Sequence, residues 1–167
     1  MTLAELNALP AAAAERALLD CCGARAWARA MTAARPFPDE ATLHRAADVE
    51  WDRTSADDRL EAFAAHPRIG ERAHAGAAAR HAGWSAQEQA GASSADERVA
   101  RELASGNREY EARFGHVFLI CATGRSAADM LAELRARLGN DAATELDVAA
   151  EEQRKITHLR LEKLLSS

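Results

Sequence analysis

Helix-forming residues dominate this chain from end to end, and that bias constrains its fold more than any single motif. Alanine is abundant, whereas β-branched and aromatic residues are scarce, with aromatic residues making up 5% of the 167 positions. Alanine has the highest helix propensity, and strands need the residue types that are rare here. The sequence therefore predicts an all-α fold: a compact single-domain helical bundle of about seven to nine helices over residues 1–167.

Proline, glycine and capping residues divide the chain into predicted helices. The first begins at Leu3 and is stopped at Pro10, the second runs from Ala11 to about Cys22, and the third carries Trp27 and Met31 and stops before Arg35. A fourth covers Glu40 to Val49 and buries Leu43, Ala46 and Ala47. The others run from Ser55 towards His66, from Ser94 to Arg113, from Ser126 to Leu138, and from Asp141 to the C-terminus. Between Arg72 and Gly83 the period is unclear, which fits either a frayed helix or a loop over a site.

The net charge and the number of cysteines limit the partners and the compartment that the sequence predicts. The net charge is −5 and no basic block occurs, so nucleic acid and anionic membranes are poor partners. No segment approaches the ~20 apolar residues that cross a bilayer, and the first residues do not resemble a signal peptide. Three cysteines, two of them adjacent, fit free thiols in a reducing compartment. We expect a cytoplasmic protein that acts on a small molecule, and the sequence leaves a homodimer open.

His66 and Pro67 form the first candidate site. Proline cannot continue a helix and restricts the residue before it, so His66 falls where a helix near Ala65 gives way to a fixed turn. An imidazole at such a corner titrates near neutral pH and suits catalysis. The alternative is a helix stop with a surface histidine.

A second candidate is the stretch from Trp84 to Gln89. Ser85 and Glu88 have the spacing of a capping box, in which Glu88 reaches back to the backbone N–H of Ser85. A functional alternative places both residues and Gln89 around a helix N-terminus, where backbone donors and the helix dipole favour an anionic ligand. The two interpretations are compatible.

Two further features carry candidate binding groups. The run from Val117 to Ala122 is the only continuous apolar stretch, and periodicity leaves a buried strand-like segment and a helix start equally open. An extended segment leaves backbone N–H and C=O groups that a flat heterocycle could bind. Arg160, between leucines on the last helix, is either a solvated or salt-bridged arginine or a fork for a carboxylate or ureido carbonyl.

The sequence patterns that mark metal sites, phosphate-binding loops and hydrolase nucleophiles do not occur. The chain has no metal-binding spacing of histidine or cysteine, no phosphate loop and no nucleophile elbow, so we expect no metal and no organic cofactor. A metal-dependent hydrolase would have to rest on His66, Glu71, His74 and His81. A helical binding module without chemistry is the competing class, although such a scaffold would not require both His66 and Glu88.

Taken together, these stretches resemble the family of 2-oxo-4-hydroxy-4-carboxy-5-ureidoimidazoline (OHCU) decarboxylases, which act at the third step of urate degradation. The resemblance covers nearly the whole chain. It rests on Leu6-Asn7-x-Leu9, Cys21-Cys22-Gly23, Trp27, Met31, Arg35-Pro36-Phe37, Trp51, His66-Pro67-Arg68-Ile69-Gly70-Glu71, Ser85-x-x-Glu88-Gln89, Asn107-x-x-Tyr110-x-x-Arg113-Phe114-Gly115-x-x-Phe118 and Ile156-x-x-x-Arg160-Leu161. One departure is Gln87, where many members carry a second acidic residue.

The resemblance implies a cofactor-free decarboxylation that gives (S)-allantoin. In that reading His66 is the acid–base residue, Glu88 holds its partner proton or the substrate hydroxyl, and Arg160 binds an anionic or carbonyl group. The implied substrate-binding residues are Pro67, Ser85, Ala86, Gln87, Gln89, Phe118, Leu119, Ile120, Cys121 and Ala122.

Overall fold

A computed structural model of the protein describes residues 1–70, 79–90 and 97–166. Within these ranges the regular structure is entirely helical, as predicted, and nine helices are present. They are α1 (Leu3–Ala8), α2 (Ala11–Cys22), α3 (Arg25–Ala33), α4 (Glu40–Asp52), α5 (Ala56–Ala64), α6 (Ala79–Glu88), α7 (Glu97–Phe114), α8 (Ala127–Arg137) and α9 (Ala142–Leu165).

Short polar side chains begin several of these helices. Thr2 and Ser126 each accept a hydrogen bond from the backbone N–H three residues on, and the acidic residue there bonds back to complete a capping box. Ser55 and Asp58 form the same reciprocal pair, and Asp141 accepts from the N–H of Thr144. Capping satisfies donors that the first helical turn leaves without partners, so these helix starts are encoded locally.

The described residues fall into two compact units by their contacts. The first unit comprises residues 1–62 and 154–167, and the second comprises residues 63–153. The single-domain prediction is not tested by this division and stays a prediction.

Helices α2, α3 and α4 pack in sequence within the first unit. Their buried faces contribute Leu18, Trp27, Met31 and Leu43 to an apolar core. The indole Nε1 of Trp27 donates a hydrogen bond of 3.0 Å to the carbonyl of Ala47 on α4. A buried tryptophan needs such a partner for its N–H, so this bond fixes α3 against α4.

In the second unit α7 packs against α8. The core between them gathers residues from both helices, from the apolar run and from the turn after α5. They are Ile69, Leu103, Tyr110, Phe118, Ile120, Ala122, Ala127, Met130, Leu131 and Leu134. The run from Val117 to Ala122 forms neither a helix nor a strand, so the alternative of a helix start is wrong. Its side chains therefore anchor an irregular stretch of backbone in this core.

Most predicted helix ends agree with the structure, and three details do not. The helix that begins at Glu40 continues beyond Val49 to Asp52, and Ala46 on it is only half-buried. The predicted capping box at Ser85 is wrong, because Ser85 lies inside α6 and Glu88 is its last residue. The predicted cap at Ser94 lies outside the described residues, as does most of the stretch from Arg72 to Gly83. No helix in the described ranges is long and apolar enough to span a bilayer.

Candidate functional site

His66 occupies a tight turn directly after α5, as the proline beside it predicts. The helix ends at Ala64, and the N–H of His66 still bonds back to the carbonyl of Phe63 at 3.0 Å. Pro67 is buried, and the turn closes at Gly70, whose φ of +85° is a conformation that glycine adopts without strain. The imidazole is 5% exposed, so the alternative of a surface histidine is wrong.

Gln153 on α9 holds the His66 ring. The ring Nε2 and the Oε1 atom of Gln153 are 2.9 Å apart, and the Gln153 side chain is completely buried. Which of the two groups donates depends on the tautomer of the ring. This bond sets the orientation of the imidazole within the second unit.

Three more contacts fix the turn that carries His66. The N–H of Gly70 donates to Oε1 of Gln89 at 3.0 Å, and Nδ2 of Asn107 donates to the carbonyl of Ile69 at 3.0 Å. Arg68 donates two hydrogen bonds, of 2.6 and 2.8 Å, to the carboxylate of Glu111. These bonds and the charge of Arg68 lower the pKa of the Glu111 carboxyl, so the pair stays ionised at neutral pH. The Gly70–Gln89 bond also joins two of the predicted site segments.

The side chains of α6 divide into buried and exposed members. Ser85 and Glu88 are buried polar side chains, whereas Ala86 and Gln87 point to solvent. Glu88 stands at the C-terminal end of α6, so the N-terminus of that helix is not the place of the predicted anion site. The helix dipole disfavours a negative charge at this end of α6. Helix capping therefore does not explain why Glu88 is buried here.

The extended segment from Phe118 to Ala122 is held by two buried charged side chains. Arg137 on α8 donates from one terminal nitrogen to the carbonyl of Leu119 at 2.8 Å. The N–H of Cys121 donates to Oε2 of Glu152 at 2.7 Å, where Glu152 is the neighbour of Gln153 on α9. Both bonds are charge-assisted, which makes them stronger than ordinary backbone bonds. The segment therefore has a fixed backbone although it belongs to no helix.

Arg160 lies in the first unit and is fully buried, so the solvated alternative is wrong. One of its terminal nitrogens is 3.5 Å from the carbonyl oxygen of Asp20. Its charge also acts on the Cys22 thiol, where it opposes the larger effect of burial. A buried guanidinium needs several acceptors, because removing it from water is costly.

Sequence patterns did not reveal the residues that support this site. Gln153, Glu152 and Arg137 sit in charged stretches that look like solvated helix faces. One signal for Gln153 was available: it shares a helical stripe with Ala149, Ala150, Ile156 and Thr157, all of which are buried. A polar residue on an apolar stripe requires a hydrogen-bond partner, and here that partner is His66.

A metal centre has no support within the described ranges, where no three histidine, cysteine or acidic side chains are arranged to hold an ion. Glu71 and His74, which the metal hypothesis required, lie outside the described residues, as does the side chain of His81.

Comparison with known proteins places the chain in a family. The family model for OHCU decarboxylase matches residues 7–162. The chain belongs to the OHCU decarboxylase family. Among solved structures, a crystal structure of OHCU decarboxylase in the presence of (S)-allantoin is 34% identical, with a TM-score of 0.76 over 89% of this chain and 96% of that one. A crystal structure of (S)-allantoin synthase, 20% identical with a TM-score of 0.75, shares the fold.

Curated relatives agree with this membership. The uric acid degradation bifunctional protein TTL of Arabidopsis thaliana is 39% identical over 147 residues, which are 87% of this chain and 45% of that protein. The OHCU decarboxylase of Amia calva is 39% identical over 79 residues, 47% of this chain and 45% of its own length. In each case the matched segment spans less than half of the relative.

Proposed function

We propose that this protein is a cofactor-independent decarboxylase that converts OHCU to (S)-allantoin. Family membership and the likeness to a structure obtained with (S)-allantoin support this substrate. The observation that carries the proposal is the buried His66 ring, oriented by Gln153 in a turn that four hydrogen-bonded partners stabilise. A binding scaffold has no need to desolvate and orient a titratable side chain in this way.

The substrate itself provides the electron sink. Its carboxylate is attached to a ring carbon that bears a hydroxyl and adjoins a carbon–nitrogen double bond. When the bond to CO₂ breaks, its electron pair forms a carbon–carbon double bond, and the ring nitrogen takes up a proton. The resulting enol loses its hydroxyl proton and gains one at the carbon that bears the ureido group. The net change is uptake of one proton and release of CO₂, so no external sink is required.

The buried side chains of the second unit then have definite roles. His66 transfers the proton, and Glu88 holds either the partner proton or the substrate hydroxyl. Acid–base assistance of this kind contributes roughly 10²–10⁴ in rate. Ser85, Gln89 and the backbone from Phe118 to Ala122 bind the edges of the ring, and delivery of the proton to one face gives the S product. Pro67 shapes the turn, and Ala86 and Gln87 would contact the substrate from the exposed face of α6.

A direct assay tests the activity. OHCU is generated in situ from urate, and the circular dichroism of (S)-allantoin is followed with and without the protein. We expect His66→Gln to lower kcat by at least about 100-fold, while His44→Gln, which removes a half-buried histidine of the first unit, keeps normal turnover. Formation of (S)-allantoin at the spontaneous rate with the unmodified protein would favour a binding module without chemistry.

Glu88→Gln separates chemistry from a structural role. The substitution keeps the volume and hydrogen-bonding capacity of the side chain and removes its charge. We expect a large loss of kcat with an unchanged melting temperature, because Glu88 closes α6 and does not cap its start. A lower melting temperature with normal kcat would make Glu88 a structural residue.

Arg160 is proposed to bind an anionic or carbonyl group of the substrate. A guanidinium offers two parallel donors where lysine offers a point charge, so Arg160→Lys should weaken binding of (S)-allantoin by roughly 1.5–3 kcal/mol. Isothermal titration of (S)-allantoin into the wild type and the variant measures this. Equal affinities of the wild type and Arg160→Lys would show that Arg160 does not bind the substrate.

The proposal extends to the setting of the enzyme. All three cysteines are free thiols, which fits a cytoplasmic location and can be checked by fractionation. We propose one domain that acts alone or as a homodimer, and sedimentation analysis distinguishes these states.

A further inference from the structure

We propose that Gln153 is a positioning residue that holds His66 as its Nε2–H tautomer, so that Nδ1 is the atom that exchanges a proton with the substrate. The inference rests on the proposed function for its chemical consequence, but the tautomer itself is a property of the resting protein.

The hydrogen bond between the two side chains defines the tautomer. The Oε1 atom of Gln153 lies 2.9 Å from Nε2 of His66, and an amide oxygen has no proton to give. Nε2 must therefore be protonated in the neutral ring, which leaves the lone pair on Nδ1. The tautomer of a histidine is set by the bond that its other nitrogen makes, and here a fully buried side chain makes that bond.

Gln153 is itself well placed to act as a rigid support. It belongs to α9, a helix of 24 residues, and its side chain is completely buried. The preceding residue, Glu152, accepts the N–H of Cys121 at 2.7 Å. Adjacent residues of one helix therefore fix both the His66 ring and the extended segment. The position of the imidazole relative to the backbone of residues 118–122 is fixed as a result.

A neutral amide also explains what kind of proton transfer the site favours. A carboxylate in place of Gln153 would stabilise the imidazolium and make His66 a poorer acid after it accepts a proton. With an amide, Nδ1 can accept the hydroxyl proton of the enol, and the imidazolium can then return a proton to carbon. His66 ends the cycle neutral, with Nε2–H still bonded to Gln153.

The first experiment measures the tautomer without any turnover. Nitrogen-15 NMR of the histidine-labelled protein at pH 8 should show a protonated Nε2 and an unprotonated Nδ1 for His66, identified by its loss in His66→Gln. Gln153→Leu should remove this single, well-defined pattern, whereas Glu151→Leu at the exposed neighbouring position should retain it. A protonated Nδ1 in the wild type would overturn the proposal, because Gln153 would then be donating through its amide nitrogen.

The second experiment measures the consequence in the decarboxylase assay. We expect Gln153→Leu to lower kcat by roughly tenfold to 100-fold, by analogy with the loss of a hydrogen-bond partner behind a metal-ligating histidine, with a small change in KM. Gln153→Glu keeps an acceptor oxygen, so it should recover turnover and move the acidic limb of the pH–rate profile to higher pH. A variant that loses only thermal stability, with an unchanged profile, would reduce Gln153 to a structural residue.

The two experiments distinguish a failure of the proposed function from a failure of the tautomer assignment. Absence of decarboxylation in the wild type together with the expected NMR pattern would refute the proposed function and leave the tautomer assignment intact. Normal decarboxylation with the opposite tautomer would do the reverse.

Discussion

Arg137 and Glu145 form an ion pair whose side chains are only 4% and 0% exposed. Nε of Arg137 donates to Oε1 of Glu145 at 2.8 Å, and the hydroxyl of Tyr110 donates to the same carboxylate oxygen. Burial and the bond to Glu145 raise the pKa of Tyr110, which keeps it a donor. Because Arg137 also binds the carbonyl of Leu119, this polar cluster connects α7, α8 and α9 to the extended segment.

Removing one partner of this pair should destabilise the protein strongly. We expect Arg137→Met to lower the free energy of unfolding by about 3–5 kcal/mol, since Glu145 would remain buried without its counter-charge. The double variant Arg137→Met/Glu145→Leu should regain part of this loss, because no charge is then left unpaired. Urea denaturation of the wild type and both variants measures the difference. A single variant as stable as the wild type would show that solvent reaches the pair.

The close approach of α7 to α8 depends on a glycine. A Cβ atom built at Gly106 would lie 2.6 Å from Cδ2 of Leu134, which is itself fully buried. We expect Gly106→Ala to destabilise the protein by roughly 1–2 kcal/mol, because the overpacking cost exceeds the gain in helix propensity.

Gly83 on α6 is the matched control for Gly106. It is exposed, and an added Cβ would meet no atom within 4 Å. Gly83→Ala should therefore be neutral or stabilising by up to about 1 kcal/mol. Thermal melts of the two variants compare the sites directly, and equal effects would mean that Leu134 moves aside without cost.

The three thiols should differ in reactivity. Burial raises the pKa of Cys22 to about 12, so almost no thiolate forms at pH 8. Cys21 is also fully buried, whereas Cys121 is partly exposed. We expect iodoacetamide to label Cys121 first and to leave Cys22 unmodified until the protein unfolds, as peptide mass spectrometry can establish. Rapid native labelling of Cys22 would mean that this part of the first unit opens readily.

The sequence predicts the helices better than it predicts the site, and the reason is physical. Caps such as Ser126 and stops such as Gly23 act within one turn of the helix, so the ends of the helices can be predicted from neighbouring residues. The pattern Ser85-x-x-Glu88 fits both a helix start and a helix interior, and contacts outside the motif decide between them. The bond between His66 and Gln153 joins positions 87 residues apart, and no local pattern encodes such a pairing.

His44 and His158 provide the last test, because they form a stacked pair on the first unit. Their Nδ1 atoms are 3.0 Å apart, and Nε2 of His158 lies 2.8 Å from Oδ1 of Asp48. Partial burial and the charge of His158 lower the pKa of His44, although Glu162, Asp48 and Glu40 oppose this shift. The folded protein therefore binds a proton at His44 less readily than the unfolded chain does.

The stabilisation from this pair should consequently depend on pH. Above the unfolded pKa of about 6.5 His44 is neutral in both states, and its contribution is fully present. As the pH falls through that value the unfolded chain takes up the proton first, so the free energy of unfolding decreases until the folded pKa is passed. Urea denaturation between pH 7.5 and 5.5 should show a steeper loss of stability for the wild type than for His44→Gln. Parallel slopes would mean that His44 titrates independently of folding.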